Sequence, residues 1–251
     1  MRILISNDDG VTADGIRVLA RRLQQLGEVV VVAPDRQRSA AGHGITLHKP
    51  LFAEQADIGN GILAYGVNGT PADCVKFGIS EVMKDAAPDI VVSGINAGEN
   101  LGNDVMYSGT VSAAIEGAIQ GIPAIAVSEC GHELFDYEAA ADFTAKLIQQ
   151  IMAHEWMPDT ILNVNVPKSG VEIKGVRVTT LGVRRYQNVY DKRLTPRGKP
   201  YYWLSGPLKD VQNEPDADVV AVKEGYISVS PVHFDFTNRQ LIDTLKTWAL
   251  D

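Results

Sequence analysis

The sequence predicts an α/β protein with a Rossmann-like, mostly parallel sheet that carries helices on both faces. Through residues 1–167, short apolar runs rich in β-branched residues alternate with stretches of helical spacing, a pattern typical of parallel βαβ units. Residues 29–33 form a continuous apolar run, as expected of a strand that is buried on both faces. The 251 residues, 45% of them apolar, are enough to bury a core without crosslinks.

Turn residues and prolines separate the predicted elements, as at Asn7–Gly10, Gly27 and Pro88, because these residues favour chain reversal over regular structure. The predicted strands are residues 2–6, 29–33, 89–93, 123–128 and 161–166. The predicted helices, each with apolar residues at helical spacing or rich in helix formers, are residues 16–26, 74–84, 109–121 and 137–152.

The pattern changes after about residue 168, where we predict a smaller β-rich extension. Residues 184–216 are polar, contain prolines and tyrosines, and lack a helical period. Residues 218–222 and 226–229 have the composition of two strands joined as a hairpin. Tyrosine and tryptophan in this part are typical of protein interfaces, although they also fill ordinary cores. The predicted division is a catalytic core at 1–167, an extension for oligomer contacts at 168–235 and a C-terminal helix at 236–251.

The overall charge excludes some classes of function. The formal net charge is −8 and the isoelectric point is near 5.1, which disfavours binding to a nucleic-acid polymer but leaves room for a small anionic substrate held by a metal. The N-terminal apolar run is too short for a signal peptide, and no stretch is long enough to span a membrane. We therefore expect a cytoplasmic protein. Cys74 and Cys130 lie outside any zinc-binding spacing and are expected to be buried thiols.

Four loops that follow predicted strands carry the candidate chemistry, since ligands of open parallel sheets bind beyond the carboxyl ends of the strands. The first loop is Asn7-Asp8-Asp9-Gly10. Adjacent carboxylates repel each other unless a cation lies beside them, and hard divalent ions take oxygen ligands. The competing interpretation is a solvated turn that caps the next helix.

The second loop follows residues 29–33 and contains Arg36, Arg38, Ser39 and His43. The two guanidinium groups are suited to binding phosphate, Ser39 offers an oxygen to a metal, and His43 is a candidate proton donor or substrate contact. A surface loop with ordinary charges explains the same residues equally well.

The third and fourth loops add polar and glycine residues. Asn96 follows residues 89–93 and offers an oxygen to a metal or an amide to phosphate. Ser108, Gly109 and Thr110 open a predicted helix, where hydroxyls and backbone N–H groups at the positive helix end attract anions. Plain N-capping by serine or threonine is the alternative.

Taken in order, these segments resemble the stationary-phase survival protein SurE family, a 5′-nucleotidase family. The resemblance covers nearly the whole chain. The segments that carry it are ISNDDG at 5–10, VAPDRQRS at 32–39, GTPADCV at 69–75, VVSGINAGENLG at 91–102, YSGTVSAA at 107–114, PRG at 196–198, YW at 202–203 and GYISVSP at 225–231. One departure is Ala40, where the family pattern has glycine.

The resemblance implies a specific chemistry. It implies hydrolysis of nucleoside 5′-monophosphates and assembly into homodimers or homotetramers. Some members of the family also act on 3′-monophosphates and short polyphosphate. One Mg²⁺ or Mn²⁺ per subunit would be held by Asp8, Asp9, Ser39 and Asn96. The phosphate would be bound by Asn96 and by the helix start at 108–110. Asp8 and Asp9 are the catalytic candidates because the metal they hold would activate a water, and Asp9 is our choice to orient it.

Two other functions remain open on the sequence. A regulator that binds a nucleotide without hydrolysing it would use the same anion-binding loops. A phosphatase of the haloacid dehalogenase type would form an aspartyl-phosphate, but that chemistry needs Asp-x-Asp after the first strand, whereas this chain has Asp8 and Asp9 side by side.

Overall fold

The structure is a computed structural model, and it describes residues 1–131, 135–187 and 189–249. Six α-helices are described in it: α1 (Asp14–Leu23), α2 (Pro71–Phe77), α3 (Gly109–Ile119), α4 (Glu138–Ala153), α5 (Asp218–Lys223) and α6 (Arg239–Leu245). The strands are β1 (Arg2–Ser6), β2 (Glu28–Pro34), β3 (Ala53–Gln55), β4 (Leu63–Val67), β5 (Ile90–Ala97), β6 (Ala124–Glu129), β7 (Thr160–Val166), β8 (Val176–Val178), β9 (Arg185–Tyr186), β10 (Val189–Leu194), β11 (Pro200–Ser205), β12 (Leu208–Lys209) and β13 (Ile227–His233).

A nine-stranded sheet in the order β3-β4-β2-β1-β5-β6-β7-β13-β8 forms the centre of the protein. Neighbouring strands from β4 to β7 are all parallel, whereas β3 and β13 run antiparallel to β4 and β7. The predicted Rossmann-like, mostly parallel sheet is therefore confirmed. The chain proceeds from β1 to one side through β2 and β4, then returns to place β5 on the other side of β1.

Helices cover both faces of this sheet, as predicted, because alternate strand residues point to opposite sides. Ile3 and Ile5 of β1 face a core shared with α1 and α4. Leu4, between them, faces a second core shared with α2 and α3. Both cysteines are buried and free, in agreement with the sequence prediction.

The predicted hairpin at 218–222 and 226–229 is wrong in its first strand. Residues Asp218–Lys223 form α5, while the second segment becomes part of β13 and pairs with β7 in the central sheet. A short apolar run does not distinguish helix from strand, and here tertiary contacts decide. Asp218 is fully buried, and its carboxylate accepts backbone N–H groups of Gly102 and Gly182, both at 2.8 Å.

The predicted extension at 168–235 contributes to two parts of the molecule. β8 and β13 belong to the central sheet, and only β9 to β12 form two separate two-stranded antiparallel sheets. The longer of these is a hairpin of β10 and β11. The predicted helix 74–84 is α2 followed by a π-helical turn, Gly78–Val82. The C-terminal helix is α6, shorter than predicted, and residues 250–251 of that prediction lie outside the described residues.

Candidate active site

The candidate site lies where β1 and β5 end side by side. These strands are parallel neighbours, and the chain leaves them in opposite directions along the sheet. Such a reversal opens a crevice at the carboxyl ends of the strands, which is where ligands of open α/β sheets bind. Asp8 and Asp9 follow β1, and Asn96 lies near the end of β5.

The turn after β1 is built by its own residues. The Asn7 side chain donates to the Gly10 carbonyl at 3.0 Å and accepts the Gly10 N–H at 3.1 Å. Gly10 has a φ of +109°, and a Cβ there would lie 3.3 Å from the Arg36 backbone carbonyl carbon. Asparagine closes the turn and glycine allows its conformation, so the two aspartates between them are held at fixed positions.

Asp8 is a buried carboxylate with one strong hydrogen bond. Its side chain is 5% exposed, and its Oδ1 accepts the Thr110 hydroxyl at 2.5 Å. The pKa of Asp8 is raised to about 6, chiefly by burial and also by the neighbouring charge of Asp9, against the opposing effect of the Thr110 hydrogen bond. The ionised form is therefore costly in this environment unless a cation approaches.

Asp9 is fixed by the last residue of β5 and by the loop after β2. Its Oδ2 accepts the Ala97 N–H at 3.0 Å, and its Oδ1 accepts the Gln37 side-chain amide at 3.4 Å. Burial raises the pKa of Asp9 as well, although these hydrogen bonds oppose the rise. Among the described residues neither Asp8 nor Asp9 forms an ion pair with lysine, arginine or histidine. The pair is thus a fixed acidic centre without a cationic partner in that part of the chain.

Asn96 reaches the site because β5 is irregular near its end. The register of β5 against β6 shifts between Ser93 and Asn96. Gly94 lies at the irregularity, and a Cβ there would lie 2.4 Å from the Val127 carbonyl oxygen. Asn96 donates its amide N–H to the Gly98 carbonyl at 2.7 Å, so its side-chain oxygen is the atom left to accept or coordinate.

The start of α3 packs directly against Asp8. A Cβ on Gly109 would lie 2.8 Å from the Asp8 Cβ, so only glycine permits this approach. Ser108 caps α3 by accepting the Val111 N–H at 3.0 Å, which is the alternative that the sequence left open. The Thr110 hydroxyl, predicted to bind phosphate, donates instead to the Asp8 carboxylate. The helix start nevertheless presents its positive end to the acidic centre.

One cavity of about 1060 Å³ joins five of the predicted site residues. Its described lining includes all four predicted metal ligands and the first residue of the predicted phosphate loop: Asp8, Asp9, Ser39, Asn96 and Ser108. Ser39 is exposed in the loop after β2. The next residue, Ala40, has a φ of +55°, a backbone conformation that favours glycine. The departure from the family pattern therefore falls at a position where alanine is strained.

The three other site residues predicted in the second loop, Arg36, Arg38 and His43, contact described residues outside the cavity lining. Arg36 is largely exposed, and its Nε is 4.0 Å from the Asp35 carboxylate. Arg38 donates to Asp35 at 3.2 Å and to the Asn68 carbonyl at 3.3 Å. His43 Nε2 lies 3.0 Å from the buried Glu116 carboxylate of α3. None of the three arginine and histidine side chains is among the described residues that line the cavity.

Two groups near the site were missed from the sequence. Asn100 lines the cavity and is held by asparagines of β7: Asn165 Oδ1 accepts its N–H at 2.8 Å, and Asn163 donates to its carbonyl at 2.8 Å. Arg184 pairs with Glu99 at 3.1 Å and Asp104 at 3.3 Å. The Asn100 and Glu99 contacts hold the loop after Asn96, and their partners are 60 to 90 residues away along the chain, so no local spacing indicates them.

Within residues 1–131, 135–187 and 189–249, no group of three or more histidine, cysteine, aspartate or glutamate residues is arranged to hold a metal. A cation at this site would thus depend on two carboxylates together with neutral oxygen donors. Among the same residues, no helix has the length and apolarity needed to cross a membrane.

The fold and the cavity define a class of α/β protein with an acidic centre at the switch point of a parallel sheet. The family model described as "Survival protein SurE" matches residues 3–188. A protein named 5′-nucleotidase SurE from Alkaliphilus metalliredigens (strain QYMF) is 51% identical over 253 residues, covering 100% of both chains. Another of that name, from Heliobacterium modesticaldum, is 52% identical, covering 99% of this chain and 92% of its own.

A solved structure is similar as well. The structure titled "Crystal Structure of Sure Protein from Aquifex aeolicus" matches with a TM-score of 0.85 and 42% identity, covering 98% of each chain. This chain belongs to the SurE family, and the resemblance inferred from the sequence is confirmed.

Proposed function

We propose that this protein is a divalent-metal-dependent phosphate-monoester hydrolase that acts on nucleoside 5′-monophosphates. One observation carries the proposal: the buried Asp8 and its neighbour Asp9 both line a large cavity and form no ion pair among the described residues. Relatives about 50% identical over the whole chain are named 5′-nucleotidase SurE, which supports the nucleotide as substrate.

The donor atoms fit a hard divalent cation. Burial raises the pKa of both aspartates, so two negative charges there are unfavourable until a positive charge joins them. Asp8, Asp9, Asn96 and Ser39 all line the cavity. Their side chains carry carboxylate, amide and hydroxyl oxygens, which are the ligands that Mg²⁺ and Mn²⁺ prefer. When bound, such an ion supplies Lewis-acid polarisation of the phosphoryl group and activation of water.

The chain itself orients the reaction. The start of α3 would offer the backbone N–H of Gly109 and the positive end of the helix to the substrate phosphate. Thr110 holds Asp8 in place through its hydroxyl, and Ala97 and Gln37 hold Asp9. Asp9 is less buried than Asp8, which supports it as the carboxylate that orients an attacking water.

Phosphate release from purified protein tests the proposal. With Mg²⁺ or Mn²⁺ present, AMP and GMP should release inorganic phosphate, and 3′-AMP and short polyphosphate serve as further substrates in the same panel. Binding of AMP without phosphate release would identify a nucleotide-binding regulator instead. A trapped phosphoenzyme would favour direct attack by an aspartate, as in the haloacid dehalogenase type, over attack by water.

The Thr110→Val variant should lose about 10- to 100-fold in kcat/KM for AMP. The substitution keeps the shape of a fully buried side chain and removes the hydroxyl that Asp8 accepts, and groups that orient metal ligands typically contribute an effect of this size. Thr110→Ser, which retains the hydroxyl, is the matched control and should stay within a few-fold of the parent. Equal activity in both variants would show that the hydrogen bond has no part in catalysis.

Assembly and location are separate proposals. We propose a homodimer or homotetramer whose contacts involve β10 and β11, because Tyr190, Tyr202, Trp203 and Leu204 are each more than half exposed and such residues are enriched at interfaces. Light scattering that shows a monomer at micromolar concentration would contradict this. A cytoplasmic location stays an expectation, which fractionation of cells would check.

A further inference from the structure

The cavity has a second wall that the phosphate chemistry does not use. This second wall is the part of the lining that β9, β10 and β11 contribute, and it includes Tyr186, Tyr190 and Leu204. A volume of about 1060 Å³ is far more than a phosphate group needs and matches pockets that enclose larger organic ligands. The segment predicted only for oligomer contacts therefore also forms part of the cavity.

Tyr186 is the most firmly positioned aromatic residue of this wall. Its hydroxyl donates to Asp104 Oδ2 at 2.6 Å, and the Arg184 guanidinium lies 5.7 Å from the ring centroid. Burial, reinforced by the hydrogen bond to Asp104, raises the pKa of Tyr186 to about 12, so the hydroxyl remains a donor near neutral pH. The ring is anchored at its edge, yet the residue is 41% exposed.

One cation beside the ring, Arg184, is neutralised by carboxylates. Arg184 is 11% exposed and forms ion pairs with both Glu99 and Asp104. Its positive charge is thus committed to two carboxylates. Arg185 and Lys209 also line the cavity, and neither forms an ion pair among the described residues. This part of the cavity therefore combines the fixed aromatic ring of Tyr186 with cationic side chains and the apolar Leu204.

We propose that Tyr186 is a specificity-determining residue that stacks against the nucleobase while the phosphate lies at the acidic centre. This inference rests on the proposed function and names the part of the protein that recognises the nucleoside. Aromatic side chains stack on every base because each base has a π face. A ring that is already held by Asp104 loses little conformational freedom on binding, so its contribution to affinity is large for one side chain.

Comparison of two substrates tests this inference. AMP and ribose 5-phosphate carry the same 5′-phosphate on ribose, but only AMP has a base. The kcat/KM for both is measured with Mn²⁺ for the parent, Tyr186→Leu and Tyr186→Phe. Tyr201→Leu serves as a matched control, because Tyr201 lies on β11, is 39% exposed and is not among the described cavity residues. Thermal unfolding of each variant checks that it is folded.

We expect the ratio of kcat/KM for AMP to that for ribose 5-phosphate to fall about 10- to 100-fold in Tyr186→Leu, the range associated with loss of one base-stacking ring. Tyr186→Phe retains the ring and should keep the ratio within about threefold, and Tyr201→Leu should leave it at the parent value. An unchanged ratio in Tyr186→Leu, or equal losses on both substrates, would overturn the inference and assign Tyr186 a structural or assembly role. Parent protein that hydrolyses neither substrate would instead refute the proposed function.

Discussion

Asp8→Asn should lower kcat/KM for AMP by about 10³-fold or more, equivalent to about 4 kcal/mol of transition-state stabilisation. The substitution preserves the size of the side chain and an oxygen for the Thr110 hydroxyl, but it removes one of two negative charges that would hold the cation. Metal-assisted phosphoryl chemistry depends on that cation for several kcal/mol, so the loss should appear in turnover and in metal affinity together.

The same variant should be more stable than the parent when no metal is present. Burial, reinforced by the charge of Asp9, raises the pKa of Asp8 from 3.8 to about 6 in the folded chain. Because the folded pKa is the higher one, this residue favours the folded state fully below pH 4, and that contribution is lost as the pH rises through 6. A shift of this size corresponds to about 3 kcal/mol, so asparagine should stabilise the metal-free protein at pH 8 by about 1–3 kcal/mol.

Thermal and denaturant unfolding of the metal-free proteins at pH 4 and pH 8 measure this difference. The variant should gain stability relative to the parent at pH 8 and little at pH 4. Asp85→Asn is a suitable control, since Asp85 is exposed on the surface and its substitution should change neither stability nor AMP hydrolysis. A variant that is less stable than the parent at pH 8, or that retains full activity, would contradict the assigned role of Asp8.

Removal of divalent metal should reduce AMP hydrolysis by the parent protein to roughly 1% or less, and addition of Mn²⁺ should restore it, because the two carboxylates cannot substitute for the cation as a Lewis acid. Full activity in excess EDTA would refute the metal mechanism. Restored activity should decline as the pH falls below about 6, since protonation of Asp8 competes with metal binding.

Metal binding can also be measured without activity. A ligand that binds only the folded state stabilises it by about 2.7 kcal/mol at a concentration 100 times its Kd. For a chain of this size, that corresponds to a rise in Tm of about 5–10 °C. The parent should show this rise with Mn²⁺ and Asp8→Asn should not. Equal shifts in both proteins would place the cation elsewhere.

The fold and the acidic centre were largely predictable from the sequence because their signals are local. The continuous apolar run that became β2 predicts a doubly covered strand, and Asp8 and Asp9 follow directly after the first strand. Parallel strands bring their carboxyl ends to one edge of the sheet. The position of Asn96 in the same crevice therefore follows from its place after a predicted parallel strand. Arg36, Arg38 and His43 show the limit of this reasoning, since loop residues of suitable chemistry lie away from the cavity in the described structure.

Contacts between distant segments were not predictable in the same way. Thr110 lies at a helix start, where the sequence predicts that its hydroxyl binds phosphate. In the structure this hydroxyl donates to Asp8, which is 102 residues away. The short apolar segment that forms α5 is compatible with a strand or a helix. The helix is favoured because the Asp218 carboxylate is buried, where it accepts the N–H groups of Gly102 and Gly182. No local sequence pattern indicates that Thr110 contacts Asp8, or that Asp218 contacts the two glycines.

The sequence by itself determined the class of fold, the family and the acidic pair, because hydrophobic periodicity and turn residues act over a few positions of the chain. Only the tertiary structure decided that Asp8 is buried beneath the start of α3, that Gly109 allows this approach, and that Tyr186 lines the same cavity as the two aspartates. Burial and ion pairing depend on which segments of the chain come into contact. A side chain of a given type therefore has a structural or a functional role according to the residues that surround it.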